Sequence, residues 1–143
     1  MTEGMLLGFD YGTRRIGVAV GQTLTGSASP LQAVSVRENR PDWAAITRLV
    51  EQWRPTAFVV GLPLQRDGSE HAVSRAARRF GDRLRGRYNR PVYLVDERLS
   101  SAEAETRLPA AGRDRRASGA LDCLAAQIIL ETWLQERART QSS

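Results

Sequence analysis

The sequence predicts an α/β fold, a five-stranded mixed sheet with helices on both faces. Two observations predict it. Three short apolar runs joined by turns occupy the first part of the chain, and two continuous apolar runs follow, each preceded by a segment of helical periodicity. A strand that returns through a helical crossover runs parallel to its predecessor, and such crossovers are right-handed. The carboxyl ends of those strands then share one edge, where ligands of open α/β sheets bind.

Met5 to Asp10 reads as the first strand, Gly12 turns the chain, and Ile16 to Gly21 pairs back as a hairpin. Ala33 to Val36 suggests a third strand. Pro41 opens a helix on which Trp43, Ile46, Leu49, Val50 and Trp53 recur at helical spacing, with Pro55 beyond its end; the two tryptophans read as core. Ala57 to Gly61 is a continuous apolar strand stopped by Pro63. The loop from Leu64 to Glu70 leads into a second helix striped with Val73, Ala76, Ala77, Phe80 and Leu84. Arg75, Arg78, Arg79 and Arg85 oppose that stripe and read as a solvent face. Pro91 to Val95 is the fifth strand, and it runs into Asp96-Glu97-Arg98. Ser100 to Arg107 reads as a short helix and Pro109 to Ser118 as an arginine-bearing loop. From about Gly119 to Arg137 a last helix carries Leu121, Leu124, Ala125, Ile128 and Leu134 on one face. Residues 1–137 read as one domain and 138–143 as a frayed tail.

At 143 residues the chain fits a single domain, large enough to bury roughly 68–70% of the surface its unfolded form exposes. One cysteine, Cys123, excludes an internal disulfide, and no cysteine–histidine cluster exists for a structural zinc. A cytoplasmic setting fits, and no apolar run approaches a spanning length, so no membrane is expected. The net charge is +5, and every basic residue is arginine. Guanidinium groups grip phosphate bidentately, which suits a polyanionic partner. The replacement of lysine covers the whole chain, so coding bias is the favoured cause, and it is the positive sign of the charge that supports a polyanionic partner.

Asp10 is a carboxylate placed where an apolar strand runs out into a glycine turn. A charge there needs a partner, a proton or a metal. The predicted topology carries Asp10 and the Asp96-Glu97 pair to the same rim. Asp122, near the start of the last helix on the border of its apolar stripe, can face that rim. Each acid also has a plainer reading: Asp10 as a turn former, Asp96-Glu97 as a solvated strand end, Asp122 as a complement to the helix dipole.

Gly8-Phe9-Asp10-Tyr11-Gly12-Thr13-Arg14-Arg15-Ile16-Gly17-Val18-Ala19-Val20, then Val60-Gly61-Leu62-Pro63-Leu64 with Asp67-Gly68, then Asp96-Glu97-Arg98-Leu99-Ser100, and last Asp122 ahead of Ala125-Ala126 and Ile128-Ile129-Leu130, resemble the YqgF/RuvX family in order over nearly the whole chain. The resemblance implies a ribonuclease H-like fold with strand order 3-2-1-4-5. It implies a nuclease linked to 5′-end maturation of pre-16S ribosomal RNA, or alternatively a Holliday junction resolvase acting on branched DNA. Residue by residue it implies Asp10, Glu97 and Asp122 as catalytic metal ligands. Of the adjacent Asp96 and Glu97, one should look inward and the other support from outside; Glu97 is taken as the ligand and Asp96 as the support.

Oxygen-only ligands select hard cations, so Mg²⁺ or Mn²⁺, as two ions, is the expected cofactor. His71 is the only histidine, which excludes histidine-pair nucleases by count; it reads as a surface residue. Cys123 reads as lying off the apolar stripe without activating neighbours. Thr13, Arg14 and Arg15 in the turn after Asp10, with Arg98 and Ser101, are candidate contacts to structured RNA or branched DNA; a solvated turn and a helix cap are their plainer readings. One departure from the family is Ser118, where a lysine is common; Arg115 or Arg116 could supply the missing charge, and Arg113 belongs to the same loop. Asp10-Tyr11-Gly12-Thr13 also resembles the phosphate loop of the actin and sugar-kinase superfamily, but 143 residues cannot supply its two domains. A non-catalytic RNA-binding module is a further alternative. Whether the chain acts as a monomer or a homodimer stays open.

Overall fold

The computed structural model describes residues 4–63, 71–96 and 120–141. Its strands are β1 (Met5–Asp10), β2 (Arg15–Gln22), β3 (Ala28–Arg37), β4 (Arg40–Pro41), β5 (Ala57–Leu62) and β6 (Val92–Asp96). Its helices are α1 (Trp43–Trp53), α2 (Ala72–Tyr88) and α3 (Ala120–Gln141). The sheet order is β4-β3-β2-β1-β5-β6. β1, β2 and β3 pair antiparallel, while β5 and β6 run parallel to β1. The longer strands thus follow the expected order 3-2-1-4-5.

One strand more than expected is present. Pro41, expected to open the first helix, instead pairs with Val36, and α1 starts after Asp42, whose carboxylate accepts the Ala45 N–H at 3.2 Å. Glu38 and Asn39 connect β3 to β4 with φ of 53° and 62°, the backbone of a two-residue primed hairpin turn. β3 is also longer than the expected Ala33–Val36, beginning at Ala28. Pro30 concealed this extension; it pairs with Ala19 on one side, and β4 reaches only Val36 and Arg37 on the other, so its missing N–H breaks no ladder bond.

Alternation divides the core. Leu7, Phe9, Ile16, Val18, Phe58 and Val60 pack under α1 and α2, while Leu6, Ala19, Ala57 and Val59 pack under α3. Phe80 of α2 anchors the first layer, with ring centroids 5.3 Å from Phe9, 5.4 Å from Tyr11 and 5.5 Å from Trp43. Trp43 and Trp53 pack against this layer but are only partly buried. His71 is the N-cap of α2: its ring Nδ1 accepts the Val73 N–H at 3.3 Å, and the Ser74 hydroxyl accepts the His71 N–H at 3.2 Å. The same hydroxyl donates to the Pro63 carbonyl. The histidine read as an ordinary surface residue therefore sets where α2 begins.

α3 continues to Gln141, past the expected end at Arg137. Its buried arc includes Cys123, Ala125, Ala126, Ile128, Ile129, Leu130 and Leu134, so Cys123 lies inside the buried face and not off it. The arc is wide because the sheet beneath is small-featured: a Cβ on Gly8 would lie 3.0 Å from Leu130 Cβ. Border positions sink with the helix. The expected Ser100–Arg107 helix and Pro109–Ser118 loop lie outside the described residues. No described helix is long and apolar enough to cross a membrane.

Phe80→Ala removes the ring shared by Phe9, Tyr11 and Trp43 and should cost about 3–5 kcal/mol, read as a lowered midpoint in urea unfolding. A loss under about 1 kcal/mol would contradict this role.

Candidate active site

Asp10 closes β1 at the carboxyl edge of the sheet, half-buried. It lies opposite Gly17 on β2 and Gly61 on β5, and Gly61 in turn lies opposite Val95 on β6. Residues of this parity, Leu6 and Gly8, face α3, so the Asp10 carboxylate leaves the sheet on the α3 side. Both sheet neighbours on that face are glycines. The carboxylate thus stands between two positions without side chains, and over one of them, Gly17, the main chain of α3 comes down.

Asp122 reaches the same rim from α3. A Cβ on Gly17 would collide with the main-chain carbonyl of Asp122 and stand 2.7 Å from the Cys123 nitrogen. Only glycine lets the first turn of α3 rest on β2 at this height. Because Gly17 is the register partner of Asp10, the contact sets Asp122 beside the Asp10 row. Arg15, two residues before Gly17 and on the same face, bonds Asp122 Oδ2 through Nε at 3.2 Å. The two side chains are 35% and 31% exposed, so solvent screening holds this pair to about 0.2–1 kcal/mol. Its effect is to aim the carboxylate more than to stabilise the fold.

Cys123 reports on both acids. Burial pushes its thiol above the ordinary value, a hydrogen bond with the Val18 backbone works in the opposite direction, and the charges of Asp122 and then Asp10 raise it further. Both carboxylates are near enough to act on one thiol.

Asp96 is exposed and closes β6 opposite Leu62, which packs on the α2 side. Its parity is that of Leu62, opposite to that of Asp10, so it is not gathered with Asp10 and Asp122. Thr13 and Arg14 are exposed in the turn between β1 and β2, and the Arg14 carbonyl accepts the Val36 N–H at 2.9 Å. Glu97, Arg98 and Ser101 lie outside the described residues, as do Arg113, Arg115, Arg116 and Ser118. Among the described residues no group of three His, Cys, Asp or Glu side chains is placed to hold a metal. Two acids, an arginine and two glycines are what the described part brings together. The roles of Gly17 and Gly61 escaped the sequence reading; the signal available was their parity, small residues on the Asp10 face of neighbouring strands.

Comparison with known proteins bears on what this rim is for. The family model described as "RuvX: Holliday junction resolvase" matches residues 4–136. A protein of Hydrogenovibrio crunogenus bearing the provisional name pre-16S rRNA nuclease is 51% identical over 132 residues, 92% of this chain and 94% of its own length. One of the same name from Azotobacter vinelandii is 50% identical over 134 residues, 93% of this chain and 94% of its own. Among solved structures, T. thermophilus RuvC in complex with Holliday junction substrate superposes with a TM-score of 0.57 at 18% identity, covering 96% of this chain and 97% of that one. Fowlpox virus resolvase with its substrate junction DNA gives 0.55 at 9% identity, covering 93% and 98%. The fold is therefore ribonuclease H-like.

Gly17→Ala should destabilise by about 1–3 kcal/mol in urea unfolding, because the α3 main chain must lift off β2; wild-type stability would refute the contact. The raised Cys123 thiol should make iodoacetamide alkylation of the native protein slower at pH 8 than that of a free cysteine, with the rate climbing only at more alkaline pH. Asp122→Asn removes one of the raising charges and should move that rise to lower pH; an unmoved profile would place Asp122 away from the thiol.

Proposed function

Because this chain belongs to the RuvX family, we propose that it is a divalent-metal-dependent endonuclease acting on structured nucleic acid, in 5′-end processing of pre-16S ribosomal RNA. It is a hydrolase of phosphodiester bonds. The observation that carries the metal-dependent reading is the seating of Asp122 on Gly17, which brings a helix acid to the row of a strand-end acid otherwise 112 positions away in sequence.

The donors present fit a hard cation: carboxylate oxygens, half-buried, one flanked by glycines. Mg²⁺ or Mn²⁺, as a pair of ions held by Asp10, Asp122 and Glu97, would supply Lewis acidity to the scissile phosphate and its attacking water. The chain's own residues do the rest. Asp10 and Asp122 concentrate negative charge at the rim, and Arg15 offsets part of it from the side. The register parity of Asp96, opposite to that of Asp10, supports Glu97 as the third ligand and Asp96 as an outer support. Thr13 and Arg14, exposed just past Asp10, are suited to backbone phosphates, with Arg98 and Ser101 as further contacts. One nuclease domain over residues 1–137, in the cytoplasm, completes the reading.

The family description favours a second substrate, the Holliday junction. Symmetric incision of a junction calls for two copies of the chain, so a monomer that cleaves only RNA and a homodimer that cuts junctions are distinct outcomes.

Asp10→Asn should abolish Mn²⁺-dependent cleavage of a pre-16S 5′ leader RNA while leaving the urea midpoint within about 1 kcal/mol of wild type. Equal cleavage by matched preparations of wild type and variant would refute the assignment. Running a four-way DNA junction beside the RNA separates the substrates: cleavage of the junction alone would overturn the ribosomal reading.

A further inference from the structure

A cleft opens between the β3–β4 turn and α2, on the opposite face of the rim from Asp10. Tyr11, Asn39, Phe80, Arg79 and Arg83 line it, and among the described residues no acidic side chain does. Arg79 and Arg83 are exposed and one helical turn apart. Like charges at that spacing repel. Their neighbours are engaged elsewhere: Arg85 bonds Asp82 at 2.6 Å, and Arg87 lies 4.2 Å over the Trp43 ring. Among the described residues neither Arg79 nor Arg83 has a carboxylate partner. Glu38 and Asp42, the nearby acids of the β3–β4 segment, face an adjoining cleft with Arg37 and Arg40. The two guanidinium groups thus stand one turn apart without a counter-charge among the described residues, an arrangement that an anion converts from repulsive to favourable.

Position identifies the anion. Tyr11 directly follows Asp10, and its ring is fixed 5.4 Å from Phe80, so the cleft begins at the end of the strand that carries the rim acid. Asn39 comes from a turn held at positive φ on two successive residues, and offers an amide beside the arginines. We propose that this cleft binds a backbone phosphate of the nucleic-acid substrate, away from the scissile bond, so that the strand crosses the end of β1 between Asp10 and the Arg79–Arg83 pair. The inference rests on the nuclease reading above for the identity of the polyanion. The arginine face of α2, which its periodicity assigns to solvent alone, then contains a phosphate site.

The test is fluorescence anisotropy with labelled pre-16S leader RNA and, in parallel, a four-way DNA junction, in the non-cleaving Asp10→Asn background. Adding Arg79→Gln with Arg83→Gln should weaken binding about tenfold at 0.1 M salt and make the plot of log affinity against log salt shallower by about 1–2. Arg48→Gln on α1 removes the same kind of charge outside the cleft and serves as the control, changing the slope by less than about half a unit. Urea midpoints confirm that the variants fold. Unchanged affinity and slope in the double variant would overturn the cleft, as would an equal loss from Arg48→Gln. Either result leaves the cleavage assay standing, because wild-type turnover does not depend on it.

Discussion

Where α3 meets β2 there is room for a hydrogen atom and nothing larger. The main chain of Asp122 lies against Gly17, and a single methyl group would part them. Gly17 is also the register partner of Asp10, so one van der Waals contact fixes the height of the helix acid relative to the strand acid. The same helix lies close over Gly8 and Gly21, which keeps its first turn from tilting away. Burial of Ala126, Ile129 and Leu130 against the sheet holds it there. Arg15 then aims the Asp122 carboxylate. The charge of the site follows from this packing, since two carboxylates at one rim demand compensation.

The two faces of the sheet do different work. Under α1 and α2 the layer is large and aromatic, built on Phe9, Phe58 and Phe80. Under α3 the sheet surface carries glycines and alanines between Leu6 and Val59, which allows close approach of a helix main chain. Asp10 sits on the close side and Tyr11 on the aromatic side. The last residue of β1 and the one after it thereby serve the proposed metal pocket and the proposed phosphate cleft. An α/β edge with parallel strand ends converging on it permits both.

Much of this was legible in the residues. The helical stripes of α1 and α2, the hairpin after Asp10 and the parallel run of the later strands followed from periodicity and crossover rules, while the strand order was what the family resemblance implied. What was not legible depended on partners distant in sequence. Pro30 hides the start of β3 because a proline within a strand is allowed only where the neighbouring edge is open, and β4 is too short to cover it. The Glu38–Asn39 turn lacks the glycine that usually marks such hairpins. Cys123 looked solvent-facing because a stripe drawn on an isolated helix cannot register how far the helix sinks into a surface of glycines. Asp10 and Asp122 were identifiable as candidates, but the Gly17 contact that unites them exists only in three dimensions. Asp96 and Glu97 differ in the sequence only by parity, and the register gives Asp96 the parity opposite to that of Asp10.

The central claim is that Asp10 and Asp122 serve one divalent-ion pocket. Isothermal titration of Mn²⁺ into wild type, Asp10→Asn and Asp122→Asn tests it without any nucleic acid present. A shared pocket predicts that either substitution alone weakens Mn²⁺ binding by at least about tenfold, and that the double substitution adds little to the worse of the two. Wild-type affinity in Asp122→Asn, or strictly additive losses in the double variant, would show that the two acids act apart.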